Sequence, residues 1–324
     1  MSMHASRPRI GLALGSGSAR GWSHIGVIRI LEEAGIVPDI VCGTSIGALV
    51  GAAYADGQLE KFEAWVRGLT WQGVVGLLDF TVSGGLIHGE KLFSFLRSHL
   101  NDQTIGDLPK AYGAVATELA TGREIWLREG SVIDAVRASA ALPGLFKPAL
   151  RNEGLLVDGA LVNPVPVSLC RAMGADIVIA VDLNSDLIGR HFSLDEPPEV
   201  PQSAAPGALV SVLSRLPLGP WANKGEKPEA PEPPDMPSIF DVLGMSLNIM
   251  QVRITRSRLA GEPADVLIRP RLADFALMDY HRAAQAIEEG EQAARRMLPE
   301  LRDMIGLSRG RDRDRDRDMD RDEV

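Results

Sequence analysis

The chain has 324 residues, 45% of them hydrophobic and 24% charged, so it is long enough to bury a sizeable core. Its formal net charge of -9 provides no dominant positive field to collect nucleic-acid phosphates, which argues against a nucleic-acid binder. Two cysteines, Cys42 and Cys170, build no disulfide framework and suit a reducing, cytoplasmic setting.

Residues 9–14, RIGLAL, form an apolar run that ends in glycines and predicts a buried strand. The apolar positions Ile25, Ile28, Ile30 and Leu31 then suit a helix over 24–34. The pattern repeats at once, with a strand over 39–42, a sharp turn over 43–47 and a small-residue helix over 48–56. Apolar runs at 112–117, 124–127 and 176–181 predict later strands. Strands alternating with helices predict a three-layer α/β/α sandwich around a largely parallel central sheet.

Between 195 and 237 the character changes, because eleven of the 21 prolines fall there and exclude regular helix or central strand. This stretch reads as an insertion or linker. Its apolar segment GALVSVLSRLPLGPW (207–221) reads as packing on the core, with a lipid-contacting lid as the alternative. A helix over 238–258, a strand over 265–268 and a charged amphipathic helix over 279–304 complete the domain. The organisation expected is one domain over 8–306, with a core at 9–185 and a C-terminal completion at 238–306. The tail at 307–324, mostly alternating arginine and aspartate, reads as disordered and self-neutralising. The N-terminus lacks the apolar stretch of a signal peptide, and the longest uncharged run, 40–55, is too short to span a bilayer. Peripheral contact with the inner face of a membrane stays open, since an exposed amphipathic segment suffices for it.

Two glycine-rich turns carry the chemistry. Gly43-Thr44-Ser45-Ile46-Gly47 is a GxSxG between a predicted strand and a predicted helix, where Gly43 and Gly47 let the backbone crowd the serine and the helix N-terminus favours developing negative charge. Its plain alternative is a small-residue turn. GSGSARG (15–21) sits on the preceding strand-to-helix connection, so both turns emerge at the carboxyl edge of a parallel sheet. Backbone N–H groups around Gly17 are placed to receive an oxyanion, with Arg20 completing or orienting the loop. A phosphate-binding loop is the competing reading, but the spacing is GxGxxxG and Asp39 precedes the next strand instead of ending it.

A serine nucleophile needs a base. None of the six histidines, His4, His24, His88, His99, His191 and His281, sits in a context that announces a triad, although His191 and His281 fit the order serine, acid, histidine. His24 reads as a hydrogen-bonded structural residue. Asp158 in LLVDGALVNPVP and Asp182 at the end of a predicted strand are both placed at the carboxyl edge, and the residues alone leave the choice open.

Four blocks taken together, GSGSARGWSHIGV (15–27), GTSIG (43–47), ASAALPGLFKP (138–148) and VDGALVNPVP (157–166), resemble the patatin-like phospholipase family, in particular its bacterial branch related to neuropathy target esterase. The resemblance covers 8–185 strongly and 238–307 loosely. It implies the sandwich of patatin and the cytosolic phospholipase A2 catalytic domain, and a Ser/Asp dyad without histidine: Ser45 as nucleophile and Asp158, followed by Gly159 in the DGA motif, as general base. It also implies an oxyanion hole from the amides of Gly15, Ser16, Gly17 and Ser18 with Arg20 as its basic member, a lipid acyl-ester substrate, and no metal or cofactor. Residues 138–148 are expected to flank the acyl pocket with no catalytic role. Ser16 departs from the commoner glycine, and if that position needs positive φ its Cβ costs about 1 kcal/mol. Since aspartate has a reference pKa of about 3.9, the dyad requires a dry site, and Asp158 is expected to be buried. A triad hydrolase using a histidine and a non-catalytic lipid- or anion-binding protein on the same fold are the alternatives. Substrate head group and oligomeric state are not legible in the residues.

Overall fold

In the computed structural model, which describes residues 7–77, 103–151, 154–187 and 239–306, β1 (Ile10–Leu14) and β2 (Ile40–Thr44) lie side by side within an eight-stranded sheet. The other strands are β3 (Ala111–Glu118), β4 (Glu124–Leu127), β5 (Ala149–Arg151), β6 (Gly154–Asp158), β7 (Ile177–Val181) and β8 (Val266–Ile268). Their order is β5-β6-β3-β2-β1-β7-β8, with β4 also paired to β3. The run β3-β2-β1-β7-β8 is parallel. The hairpin of β5 and β6, and β4, pair antiparallel.

Alternating side chains send both faces of the parallel strands into apolar surroundings, as a sheet covered on two sides requires. Ile10, Leu12 and Leu14 join Val41, Ala114, Ile179 and Val181 in one core, whereas Ala13, Ile40, Cys42, Val115, Val178 and Ala180 belong to another. The first face is covered by α1 (Ser23–Glu33), α2 (Ile46–Ala55), α5 (Val132–Ser139) and α8 (Ala283–Ile305), and its core takes in Phe62 and Val66 of α3 (Leu59–Arg67). The second is covered by α6 (Val167–Ala172), joined by Leu259 of α7 (Ile239–Gly261). A short helix, α4 (Trp71–Leu77), follows α3. The fold is thus the expected three-layer sandwich, parallel through its centre and antiparallel at one side.

The pairing along β3 positions the candidate site. β2 pairs with β3 up to Thr44 opposite Val115, and β6 pairs with β3 from Asp158 opposite Ala116. β4 occupies the other edge of β3 over the same residues, Ala114 to Thr117, so β2 and β6 share one edge and meet end to end. The chain leaving β2 and the chain leaving β6 therefore arrive at one place from opposite directions.

Some boundaries differ from those expected. β2 runs on through Thr44 and α2 begins at Ile46, so the turn is compressed to Ser45. The last helix opens with a 3-10 turn, Tyr280–Arg282, before α8, and ends at Gly306 in the left-handed region with φ 77. The expected insertion at 195–237, its apolar segment at 207–221 and the tail at 307–324 lie outside the described residues. Among the described residues no helix is long and apolar enough to cross a membrane.

Candidate active site

Ser45 occupies the single residue between β2 and α2, with φ 58 and ψ -121. That conformation is disfavoured for a residue with a side chain and costs on the order of 1–3 kcal/mol, which the surrounding packing must sustain. The glycines on either side explain the tight turn. A Cβ on Gly43 would run into the Gly47 carbonyl and the Ala48 nitrogen, and one on Gly47 into the Leu14 carbonyl, so α2 starts pressed against the end of β1. The Ser45 N–H, an orphan donor at the helix start, donates to Ser139 Oγ at 2.9 Å, at the C-terminal end of α5.

Asp158 ends β6 and is 1% exposed. Its Oδ2 accepts the Ser45 hydroxyl at 2.6 Å, and its Oδ1 accepts the Ala160 N–H at 2.8 Å, capping the 3-10 turn Gly159–Leu161. Its backbone is fixed as well: the N–H donates to Ala141 O at 2.9 Å and the C=O accepts from Thr117 Oγ1 at 2.8 Å. Removal from water lifts its pKa from 3.8 to about 6, although the bonds from Ser45 and Ala160 pull the other way. Asp182, the other candidate, is also buried and raised by desolvation, but its Oδ1 accepts from Asn184 N–H at 3.0 Å and it is not a partner of Ser45.

The described histidines have other roles. His24 is wholly buried with Nε2 2.8 Å from Gly15 O; a carbonyl only accepts, so Nε2 carries the proton, and burial lowers the pKa to about 4. It braces the glycine loop as a neutral ring. His281 is exposed and meets Trp71 edge-on at 5.6 Å. His4, His88, His99 and His191 lie outside the described residues.

The glycine loop separates into two halves. The N–H of Gly15 donates to Val181 O at 3.0 Å and that of Ser16 to Pro164 O at 2.9 Å, so these two expected oxyanion donors are already committed. Among the described residues, the N–H groups of Gly17 and Ser18 have no acceptor, and both residues line the cavity that opens at Ser45. Ser16 does not take a positive φ, so the conditional cost of its Cβ does not arise; among the described residues the non-glycine positions at positive φ are Ser18, at 53, and Ser45. Ser18 is held by its side chain: Oγ donates to Leu277 O at 2.6 Å, which leaves the Tyr280 hydroxyl to donate to Ser18 Oγ at 2.6 Å. Arg20 is buried, with Nε donating to Gly17 O at 3.1 Å and Nη2 to Asn248 Oδ1 at 3.1 Å. Desolvation lowers its pKa to about 10, and its position makes it a brace of the loop, not a member facing the cavity.

That cavity has a volume of about 100 Å³. Ser16, Gly17, Ser18, Ser45 and Asp158 form its polar end, and Trp22, Leu49, Trp65, Val136, Leu142, Phe146 and Leu277 are among its apolar walls. Residues 138–148 thus contribute walls, and also Ser139, which the sequence reading passed over although it lies inside one of the four quoted blocks. Asn248, Gln251 and Tyr280 carried no local signal. Their distance along the chain from the glycine loop hides contacts such as Ser16 Oγ to Gln251 Oε1 at 3.3 Å.

A half-buried serine hydrogen-bonded to a dry carboxylate thus stands at a helix N-terminus on a mixed α/β sheet and opens into an apolar cavity. The family model described as patatin-like phospholipase matches residues 12–171. An NTE family protein of Mycobacterium tuberculosis is 34% identical over 335 residues, covering 91% of this chain and 92% of that one. Patatin-like phospholipase domain-containing protein 6 of Mus musculus is 36% identical over 184 residues, which are 54% of this chain and 14% of that longer protein. The crystal structure of VipD from Legionella pneumophila superposes with a TM-score of 0.52 at 15% identity, covering 91% of this chain and 67% of that one, a likeness of fold alone. The chain belongs to the patatin-like phospholipase family, in its NTE branch.

Proposed function

We propose that the protein is a serine acyl-ester hydrolase acting on lipid esters, with Ser45 as nucleophile and Asp158 as general base. Family membership supports lipid hydrolysis in general. The observation that carries the finer reading is the 2.6 Å bond from Ser45 Oγ to a carboxylate whose pKa burial raises to about 6. A base near that value stays ionised at neutral pH yet holds a proton far better than an exposed aspartate.

Asp158 Oδ2 takes the Ser45 proton as Oγ attacks the ester carbonyl, and the carbonyl oxygen, now an anion, moves against the N–H groups of Gly17 and Ser18. Arg20 and His24 keep those amides in place through the carbonyls of Gly17 and Gly15. The protonated Asp158 then gives its proton to the leaving alcohol, and water, activated by the same carboxylate, frees the acyl group from Ser45. The apolar cavity takes the acyl chain.

Fatty-acid release from phosphatidylcholine and lysophosphatidylcholine vesicles tests this reading. The wild type is expected to release acid at a rate that rises with pH through about 6 and then levels, as Asp158 becomes ionised. Ser45→Ala and Asp158→Asn are each expected to lower it by at least about a thousandfold. Lipid binding without release by the wild type would leave a binding protein on a hydrolase fold.

A further inference from the structure

On the same carboxyl edge of the sheet, beyond the ends of β7 and β8, lies a second depression. It is an open groove of about 740 Å³ whose lining includes Asp182, Asp186, Thr255, Arg256, Arg269 and Arg271. The cavity at Ser45 is narrow and apolar, whereas this groove is wide and of mixed character, with apolar walls such as Leu259 and Leu267 beside its charged residues. Arg256, Arg269 and Arg271 are exposed, and among the described residues none of their guanidinium groups is salt-bridged to a carboxylate. Arg296 at the rim differs, being paired with Glu289 at 2.8 Å.

The two acids offset part of that charge, because Asp182 lies in the field of Arg256 and Arg269, but neither carboxylate forms a salt bridge with them among the described residues. Asp182 accepts from Asn184 N–H at 3.0 Å, and Asp186 Oδ2 accepts from the N–H groups of Leu272 and Ala273 at 2.9 and 3.0 Å. Both also act electrostatically on the buried guanidinium of Arg20. Three arginines without a salt bridge outnumber the two carboxylates, of which Asp186 keeps its Oδ1 unpartnered, and leave one positive charge in excess on a chain whose net charge is -9. Thr255 adds a second observation: it is 1% exposed, and its Oγ1 has no hydrogen-bond partner. A buried hydroxyl with its donor unused marks a place prepared for a polar occupant. The paired N–H donors of a guanidinium match two oxygens of a phosphate group.

We propose that this groove binds a phosphate-ester anion through Arg256, Arg269 and Arg271. Helix α7 separates the two sites, turning Asn248 and Gln251 toward the cavity at Ser45 and Thr255 and Arg256 toward the groove. The anion site does not depend on Ser45 being catalytic, because it is read by binding.

The whole Ser45→Ala chain, chosen to remove the proposed nucleophile, is titrated calorimetrically with glycerol 1-phosphate and with inorganic phosphate. It is also sedimented with phosphatidylcholine vesicles, with and without phosphatidylglycerol. Arg256→Ala is expected to weaken the binding observed by about tenfold. Arg253→Ala removes the same charge from the same helix outside the groove lining and is expected to change it less than about twofold. Binding of the free phosphates without preference for phosphatidylglycerol assigns the groove to a soluble phosphate ester, and binding of phosphatidylglycerol vesicles alone assigns it to a lipid head group; both support the site. Equal effects of the two substitutions, or no binding of any probe, overturn it.

Discussion

At the scale of single residues, Asp158 sets stability against reactivity. Its carboxyl has an ordinary pKa of 3.8 and one of about 6 in the fold, so the folded state holds the proton more tightly than the unfolded chain does. Below the lower value both states are protonated and nothing is lost. As pH rises from there through about 6 the unfolded chain ionises first and stability falls, reaching a deficit of about 3 kcal/mol once both states are ionised. Asp158→Asn removes this titration. The variant is expected to melt on the order of 5 °C above the wild type near about pH 8, with the gap closing near about pH 4. Melting curves that stay parallel across that range would contradict the burial argument. Ser139 acts differently, by receiving the Ser45 N–H. Ser139→Ala leaves that donor unpaired, which is expected to cost about 1–2 kcal/mol and to slow reaction at Ser45 without moving the pH midpoint, because the partners of Asp158 are untouched. Urea unfolding and the pH profile of the rate measure the two effects separately. Ser45 was legible because GxSxG is a local pattern tied to a local turn, whereas Ser139 is brought to it across the chain and has no such pattern.

At the scale of elements, the close crossing of α1 and α8 holds the glycine loop's helix onto the sheet. A Cβ on Gly26 would enter the backbone of Ile287 and Glu291, and one on Gly290 the backbone of Ser23, so the two helices approach as only glycines allow. Gly26→Ala is expected to force them apart at a cost of about 1–3 kcal/mol, seen as a lower urea midpoint with an unchanged slope. The parallel strands were legible as short apolar runs bounded by turns, and α1 and α8 by apolar positions spaced at the helical period. The hairpin of β5 and β6 was not, since its strands are short and half-exposed, with Leu150 at 74% and Leu155 at 46%. What stabilises it is antiparallel pairing to β3, a tertiary fact. The start of α2 was misread by two residues because Ser45 sits in a strained conformation that propensity does not anticipate.

At the scale of the whole molecule, the order of strands decides which groups meet. β6 abuts the end of β2 along β3, which brings Asp158 to Ser45, while β7 lies across β1 from β2, which keeps Asp182 away. Both acids stand near strand ends, and the residues alone could not separate them; only resemblance to a family did. The glycine loop was legible as a loop, but not the division by which Gly15 and Ser16 turn their amides to Val181 and Pro164 while those of Gly17 and Ser18 have no acceptor among the described residues. The same architecture uses His24 to brace that loop, so the account needs no histidine at the reacting atoms. Labelling of the purified protein with a fluorophosphonate, with the adduct mapped by mass, tests this most directly. The account predicts a single adduct on Ser45 that is absent in Ser45→Ala and strongly reduced in Asp158→Asn, and that forms at an undiminished rate in His281→Ala. An adduct on another residue, labelling that survives Ser45→Ala, or labelling by Asp158→Asn at the wild-type rate would contradict it.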